Sequence, residues 1–114
     1  MAASAPASGV SRHITVYIKP EHASTFLGAF KTLFDQVVTN PECKLFEVYR
    51  DSKEPGVFHW VEDWDGTAEW LAAAQEGSED YKKWLAFEET LYAKPREERI
   101  VERMAGDFFH VNKA

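Results

Sequence analysis

Val57-Phe58-His59-Trp60-Val61-Glu62-Asp63-Trp64, followed by Asp65-Gly66 and Thr67-Ala68-Glu69-Trp70, is the stretch whose reading decides the fold. Successive side chains of a β-strand point to opposite faces. Phe58, Trp60, Glu62 and Trp64 therefore share one face, and Val57, His59, Val61 and Asp63 share the other. A glutamate between two indoles on one sheet face has two readings. It is either the wall of a pocket with one polar contact, or part of a core strand with an ion pair at its edge. Asp65-Gly66 then turns the chain directly into helical sequence.

Working outward from this strand, Lys44 to Arg50 alternates Leu45, Glu47 and Tyr49 against Phe46, Val48 and Arg50, which predicts another strand. The two are joined by Asp51-Ser52-Lys53-Glu54-Pro55-Gly56, a composition suited to a hairpin loop. Further upstream, Arg12 to Lys19 sets His13, Thr15 and Tyr17 against Ile14, Val16 and Ile18. Pro20 stops that strand, and Glu21 to Thr39 carries Phe26, Phe30, Leu33, Phe34, Val37 and Val38 at helical spacing before Asn40-Pro41 ends it. Downstream, Thr67 to Gln75 is a short helix. Ser78 is suited to cap a second helix from Glu79 to Ala93, with Tyr81, Trp84, Leu85, Leu91 and Tyr92 on one side. Lys94-Pro95 is read as its end, and Phe108-Phe109-His110-Val111 as the last strand. The order β-α-β-β-α-β is the ferredoxin-like, α+β plan, a four-stranded antiparallel sheet with its helices on one face. Both parities of the strands are apolar or aromatic, so the uncovered face is expected to pack against a second copy in a homodimer.

The 114 residues are enough for one domain, expected over 12–114 behind a small-residue tail of residues 1–11 that lacks the basic and apolar regions of a signal peptide. The net charge of -6 and scattered basic residues argue against nucleic acid as a partner. No apolar run is long enough for a membrane span. The single cysteine, Cys43, allows no internal disulfide, and a reducing, cytoplasmic location is expected. The histidines His13, His22, His59 and His110 are widely spaced and give no metal-site signal.

Several local features together resemble the antibiotic biosynthesis monooxygenase domain, a dimeric α+β barrel group. They are Lys19-Pro20 before an aromatic helix, Asn40-Pro41-Glu42-Cys43, Phe46-Glu47-Val48-Tyr49-Arg50-Asp51, Pro55-Gly56 with Phe58, Glu62-x-Trp64 and Ser78 to Tyr81. The resemblance runs from about Arg12 to Val111. It implies an apolar cleft between sheet and helices. Relatives with such a cleft oxidise polycyclic phenols without metal or organic cofactor, degrade haem, or act as isomerases or decarboxylases, and others have no assigned activity. A histidine that many members carry in the helix after the third strand falls near Ala73 or Ala74 here, which counts against haem degradation.

The resemblance and the residues together give a candidate set. His13 is expected as base, with Tyr17 and Tyr81 as hydrogen-bond donors. Phe26, Phe30, Trp60, Glu62, Trp64 and Trp84 are expected to line the substrate cleft. Each also has a structural reading, as surface histidine or core aromatic. His59 lies on the opposite parity from Trp60 and Trp64 and is read as an interface or core residue. The expected function is a cofactor-independent oxygenase for an aromatic or polyketide-like small molecule. Decarboxylation, isomerisation and a non-catalytic small-molecule-binding or stress-related dimer remain as alternatives, because the fold does not decide the chemistry.

Overall fold

A computed structural model describes residues 9–104 and 106–112. Four strands, β1 (Val10–Ile18), β2 (Cys43–Arg50), β3 (Val57–Trp64) and β4 (Tyr92–Glu102), form one antiparallel sheet in the order β2-β3-β1-β4. Three helices, α1 (Ala23–Val37), α2 (Ala68–Glu76) and α3 (Glu79–Glu89), cover one face. The α+β ferredoxin-like plan expected from the alternation is the fold observed.

The pattern of burial follows strand parity. Ile14, Val16 and Ile18 of β1 and Phe58 and Trp60 of β3 are almost fully buried beneath Phe26 and Phe30 of α1. The aromatic stripe of α1 is thus mainly core. Phe26 stacks on Phe30 and Phe58 with ring centroids 5.2 Å apart in both pairs, and Phe30 lies 4.6 Å from Trp60. The β2–β3 hairpin closes as its composition suggests. Asp51 Oδ2 accepts the backbone N–H of Lys53 and Glu54, and Gly56 takes φ +97°. Any side chain at Gly56 would meet the Ile18 carbonyl oxygen. Ser78 caps α3, its hydroxyl accepting the Tyr81 N–H.

Four expectations are corrected. The last strand is Tyr92–Glu102, not the Phe108–Val111 segment, and α3 ends at Glu89 rather than Ala93. Ala93-Lys94-Pro95-Arg96-Glu97-Glu98 is charged and contains proline, so it lacks strand alternation. As an edge strand it needs ladder bonds on one side only, and edges admit proline. Its register against β1 shifts between Thr15 and Tyr17, around Pro95. Gly106–Phe108 is a 3-10 turn instead. The boundary of the tail also moves. Residues 1–8 lie outside the described residues, but Val10 and Ser11 belong to β1, paired with Trp64 and Asp63. Finally, Pro20–His22 forms a 3-10 turn ahead of α1.

Candidate active site

β1 carries an arginine, Arg12, at the parity of Ile14, Val16 and Ile18, so its side chain enters the layer between sheet and helices, where it is 3% exposed. A charge that deep requires partners. The antiparallel register places Arg12 opposite Glu62 on β3, and Ile14 opposite Glu98 on β4. Arg12 Nη1 lies 3.5 Å from Glu62 Oε1. Its Nε and Nη2 donate to the two carboxylate oxygens of Glu98 at 3.0 and 3.2 Å, a bidentate pair. Nη2 also donates to the Tyr81 hydroxyl from α3. Burial opposes the charge on Arg12, but Glu62, Glu98 and Tyr81 outweigh it and hold the guanidinium above its ordinary value.

Glu62 resolves the question posed by its position between two indoles. It accepts the Nε1–H of Trp60 and of Trp64, both at 2.8 Å. Trp60, Glu62 and Trp64 are thus one buried unit, joined through Arg12 to Tyr81 and Glu98.

The network continues along β4 and α3. Arg96 Nη2 reaches Glu98 at 3.4 Å, and Nη1 donates to Glu88 Oε2 at 3.0 Å. Glu88, wholly buried, also accepts the Trp84 indole N–H at 2.9 Å and the Tyr92 hydroxyl. Burial, then the bond to Glu88, keeps the Tyr92 phenol above its ordinary range. Arg96 is likewise held protonated, burial opposing the charge while Tyr81 and Glu88 favour it. Its Nε–H is buried with no acceptor among the described residues. Glu98 keeps about a third of its side chain exposed, so the network meets solvent at β4.

Seven of the nine expected site residues lie on this helix side: Phe26, Phe30, Trp60, Glu62, Trp64, Tyr81 and Trp84. Phe26 and Phe30 are packed in the core. Trp84 also lines a groove of about 450 Å³ between α1 and α3, with Leu33 and Phe87. His13 and Tyr17 are not brought to this cleft. Their parity turns them to the open sheet face, with the sheet itself between them and Tyr81. There Ser11 Oγ and His13 Nε2 lie 3.0 Å apart, and Tyr17 donates to Glu97 at 2.7 Å, a bond that raises the phenol above its ordinary value. His59 takes the same open face, as its parity predicts, stacked on Tyr49 at 4.8 Å.

Arg12, Glu88, Arg96 and Glu98 were not singled out from the sequence. For Arg12 the signal was present: it shares the parity of three buried aliphatics. Arg96 and Glu98 were hidden by the misplaced fourth strand, and Glu88 by its ordinary appearance on a charged helix.

An α+β sheet-and-helix layer holding a buried Glu-x-Trp unit defines the class, and comparison with known proteins gives the family. The antibiotic biosynthesis monooxygenase family model matches residues 9–86, and the chain belongs to that family. A protein of Pestalotiopsis microspora, provisionally named a monooxygenase, is 34% identical over 105 residues, which cover 92% of this chain and 88% of the relative. The fold is shared with a conserved protein from Methanosarcina mazei Go1, with a TM-score of 0.75 at 19% identity over 84% of this chain and 93% of that one. It is also shared with a provisionally named antibiotic biosynthesis monooxygenase from Caulobacter crescentus CB15, with a TM-score of 0.75 at 21% identity over 85% and 92%.

Proposed function

We propose that this protein is a cofactor-independent monooxygenase-type enzyme acting on a small aromatic or polyketide-like molecule, with its chemistry at Tyr81. The observation that carries this reading is the hydrogen bond from Arg12 Nη2 to the Tyr81 hydroxyl oxygen. Arginine has donors and no acceptor. In the Arg12–Tyr81 bond the phenol oxygen is therefore the acceptor, and its own proton is left to point at a third group. The buried Arg96 Nε–H is a second donor in the same layer. A phenol donor fixed by a buried arginine suits a substrate on which negative charge develops on oxygen.

In the proposed reaction, an acidic methylene carbon flanked by aromatic or carbonyl groups loses a proton, and the resulting anion reduces dioxygen. One oxygen atom forms the new carbonyl, and the other leaves as water with the two hydrogens of the former methylene. The substrate carbon itself supplies all four electrons that reduce dioxygen, so no external reductant enters the step. Trp84, which lines the groove between α1 and α3, is the proposed aromatic wall, and the solvent-reaching edge at Glu98 is the proposed approach; Trp60 and Trp64 stay buried and hold Glu62 in place. We also propose a homodimer formed through the open sheet face, which puts His13 and Tyr17 at the interface rather than in the cleft.

Oxygen uptake with a dihydroxynaphthalene or an anthrone as probe tests the activity. Tyr81→Phe is expected to lower turnover on the order of 100-fold with the fold retained. Unchanged turnover rejects the role of Tyr81. Carbon dioxide release without oxygen uptake moves the assignment to decarboxylation, and failure of every phenolic probe to bind moves it to a non-catalytic role.

A further inference from the structure

We propose that Glu98 is the catalytic base that takes the methylene proton, and that the substrate presents a carbonyl oxygen to Tyr81 and the carbon it acidifies to Glu98. This rests on the reaction proposed above and supplies the proton acceptor that it lacks. Three carboxylates meet two guanidiniums in the layer between sheet and helices. Arg12 serves Glu62 and Glu98, and Arg96 serves Glu88 and Glu98. Among these five groups one negative charge is in excess.

The three carboxylates differ in how fully they are engaged. Glu62 is 5% exposed, and its oxygens hold two indole N–H groups besides Arg12. Glu88 is wholly buried and holds Trp84, Tyr92 and Arg96. Neither is open to a substrate. Glu98 sits on β4, an outer strand of the sheet, with 35% of its side chain exposed. Its Oε2 receives the Arg12 Nε–H, and its Oε1 receives Arg12 Nη2 at 3.2 Å and Arg96 Nη2 at 3.4 Å. A carboxylate oxygen has about two acceptor sites, so Oε2 has room for a proton while Arg12 stays bound.

Arg12 joins base and donor. Its Nη2 donates both to Glu98 Oε1 and to the Tyr81 hydroxyl oxygen. Two acceptors on one nitrogen lie at most about 6 Å apart. A carbonyl oxygen and the carbon it acidifies fit within that span. The oxygen accepts the Tyr81 O–H, and the C–H faces Glu98. The C–H bond then breaks, its proton bonds to Glu98, and its electron pair moves onto the carbonyl oxygen as an enolate. The layer gains no net charge, because Glu98 becomes neutral as the enolate becomes negative. The guanidinium that loses its charged partner at Glu98 supports the new charge through Tyr81. Once the enolate carbon has bonded to dioxygen, Glu98 returns the proton to the peroxide. It takes the second C–H proton as the O–O bond breaks, and passes it to the departing hydroxide, leaving carbonyl and water.

Exchange of the methylene hydrogens of anthrone in D₂O under argon, followed by proton NMR, tests the base apart from the oxygen chemistry. The full chain is expected to speed exchange above the buffer rate. Glu98→Gln keeps the shape of the side chain and should lower that acceleration, and oxygen uptake in air, about 100-fold or more, while anthrone affinity read by tryptophan fluorescence changes less than about threefold. Circular dichroism checks folding. If Glu98→Gln does not fold, Glu98→Asp decides: it keeps a charge beside Arg12 but withdraws the carboxylate by one methylene, and exchange should fall about tenfold or more with affinity kept. Exchange at the wild-type rate in the folded variant overturns the base and leaves the monooxygenase assignment standing. Exchange that depends on Glu98, with no oxygen uptake by the wild-type protein, supports the base and rejects the monooxygenase assignment. A wild-type protein that neither exchanges nor consumes oxygen overturns both.

Discussion

Replacing Glu62 by glutamine removes one charge and changes one acceptor into a donor, with almost no change in shape. Glu62 is 5% exposed, with an indole N–H at 2.8 Å on each oxygen and Arg12 at 3.5 Å. The amide oxygen of glutamine can keep one indole, but its NH₂ group must face the other donor. A buried donor left without an acceptor costs about 1–3 kcal/mol. Breaking a buried ion pair outright costs about 3–5 kcal/mol, but Arg12 keeps its bidentate bond to Glu98, so only part of that applies. The expected loss is about 2–4 kcal/mol, which lowers the Tm by roughly 10–20 °C in a domain near this size.

Urea and thermal unfolding followed by near-ultraviolet circular dichroism measure that loss. Glu79→Gln, an exposed site, serves as control and should stay within about 0.5 kcal/mol. The mechanism has a sharper signature in a double-mutant cycle. The amide oxygen takes the Oε1 position, where Trp64 and Arg12 both donate, so the NH₂ group opposes Trp60. Trp60→Phe removes that N–H, and Glu62→Gln with Trp60→Phe should be less destabilised than the sum of the single changes, by about 1 kcal/mol or more. A loss below about 1 kcal/mol for Glu62→Gln, or strict additivity with Trp60→Phe, refutes the assignment of Glu62 as the acceptor that binds β3 to Arg12.

Other consequences follow from single sites. Burial and then the nearby Glu62 raise the Cys43 thiol above its ordinary pKa, so iodoacetamide should alkylate it more slowly than a free cysteine at pH 8–9, and Glu62→Gln should speed that reaction. Ser78→Ala removes the cap of α3 and should cost about 1 kcal/mol in urea unfolding, with faster amide exchange in the first turn that holds Tyr81. The backbone N–H groups of Glu54 and Lys53 lower the Asp51 pKa in the folded chain. Its stabilisation of the hairpin loop is therefore present above the unfolded value near 3.9 and lost as pH falls through the lower folded value. Exchange at Lys53 and Glu54, referenced to Asp51→Asn across pH 2–5, should show that loss; parallel profiles in both proteins contradict it.

The sequence by itself determined the order of the first three strands and the helices, because alternation and helical spacing are properties of neighbours along the chain. It also determined that Phe58, Trp60, Glu62 and Trp64 share a face, and that His59 points the other way. Parity along β1 separated His13 and Tyr17 from Ile14, Val16 and Ile18 in the same manner, but it gave no sign of which side the helices take. Only the tertiary structure decided that. Helices cover the face that loses the most apolar area from water, and the bulky aliphatics of β1 with Phe58 and Trp60 lie on Arg12's side. His13 was consequently left on the open face, and Arg12 became the buried charge. The fourth strand was beyond local reading for a related reason. Tyr92–Glu102 is a strand because β1 offers it an edge to pair with, and that partner lies some eighty residues away in the chain. Arg96 and Glu98 entered the site only through that pairing, and with them the solvent-reaching edge where Tyr81 is proposed to meet its substrate.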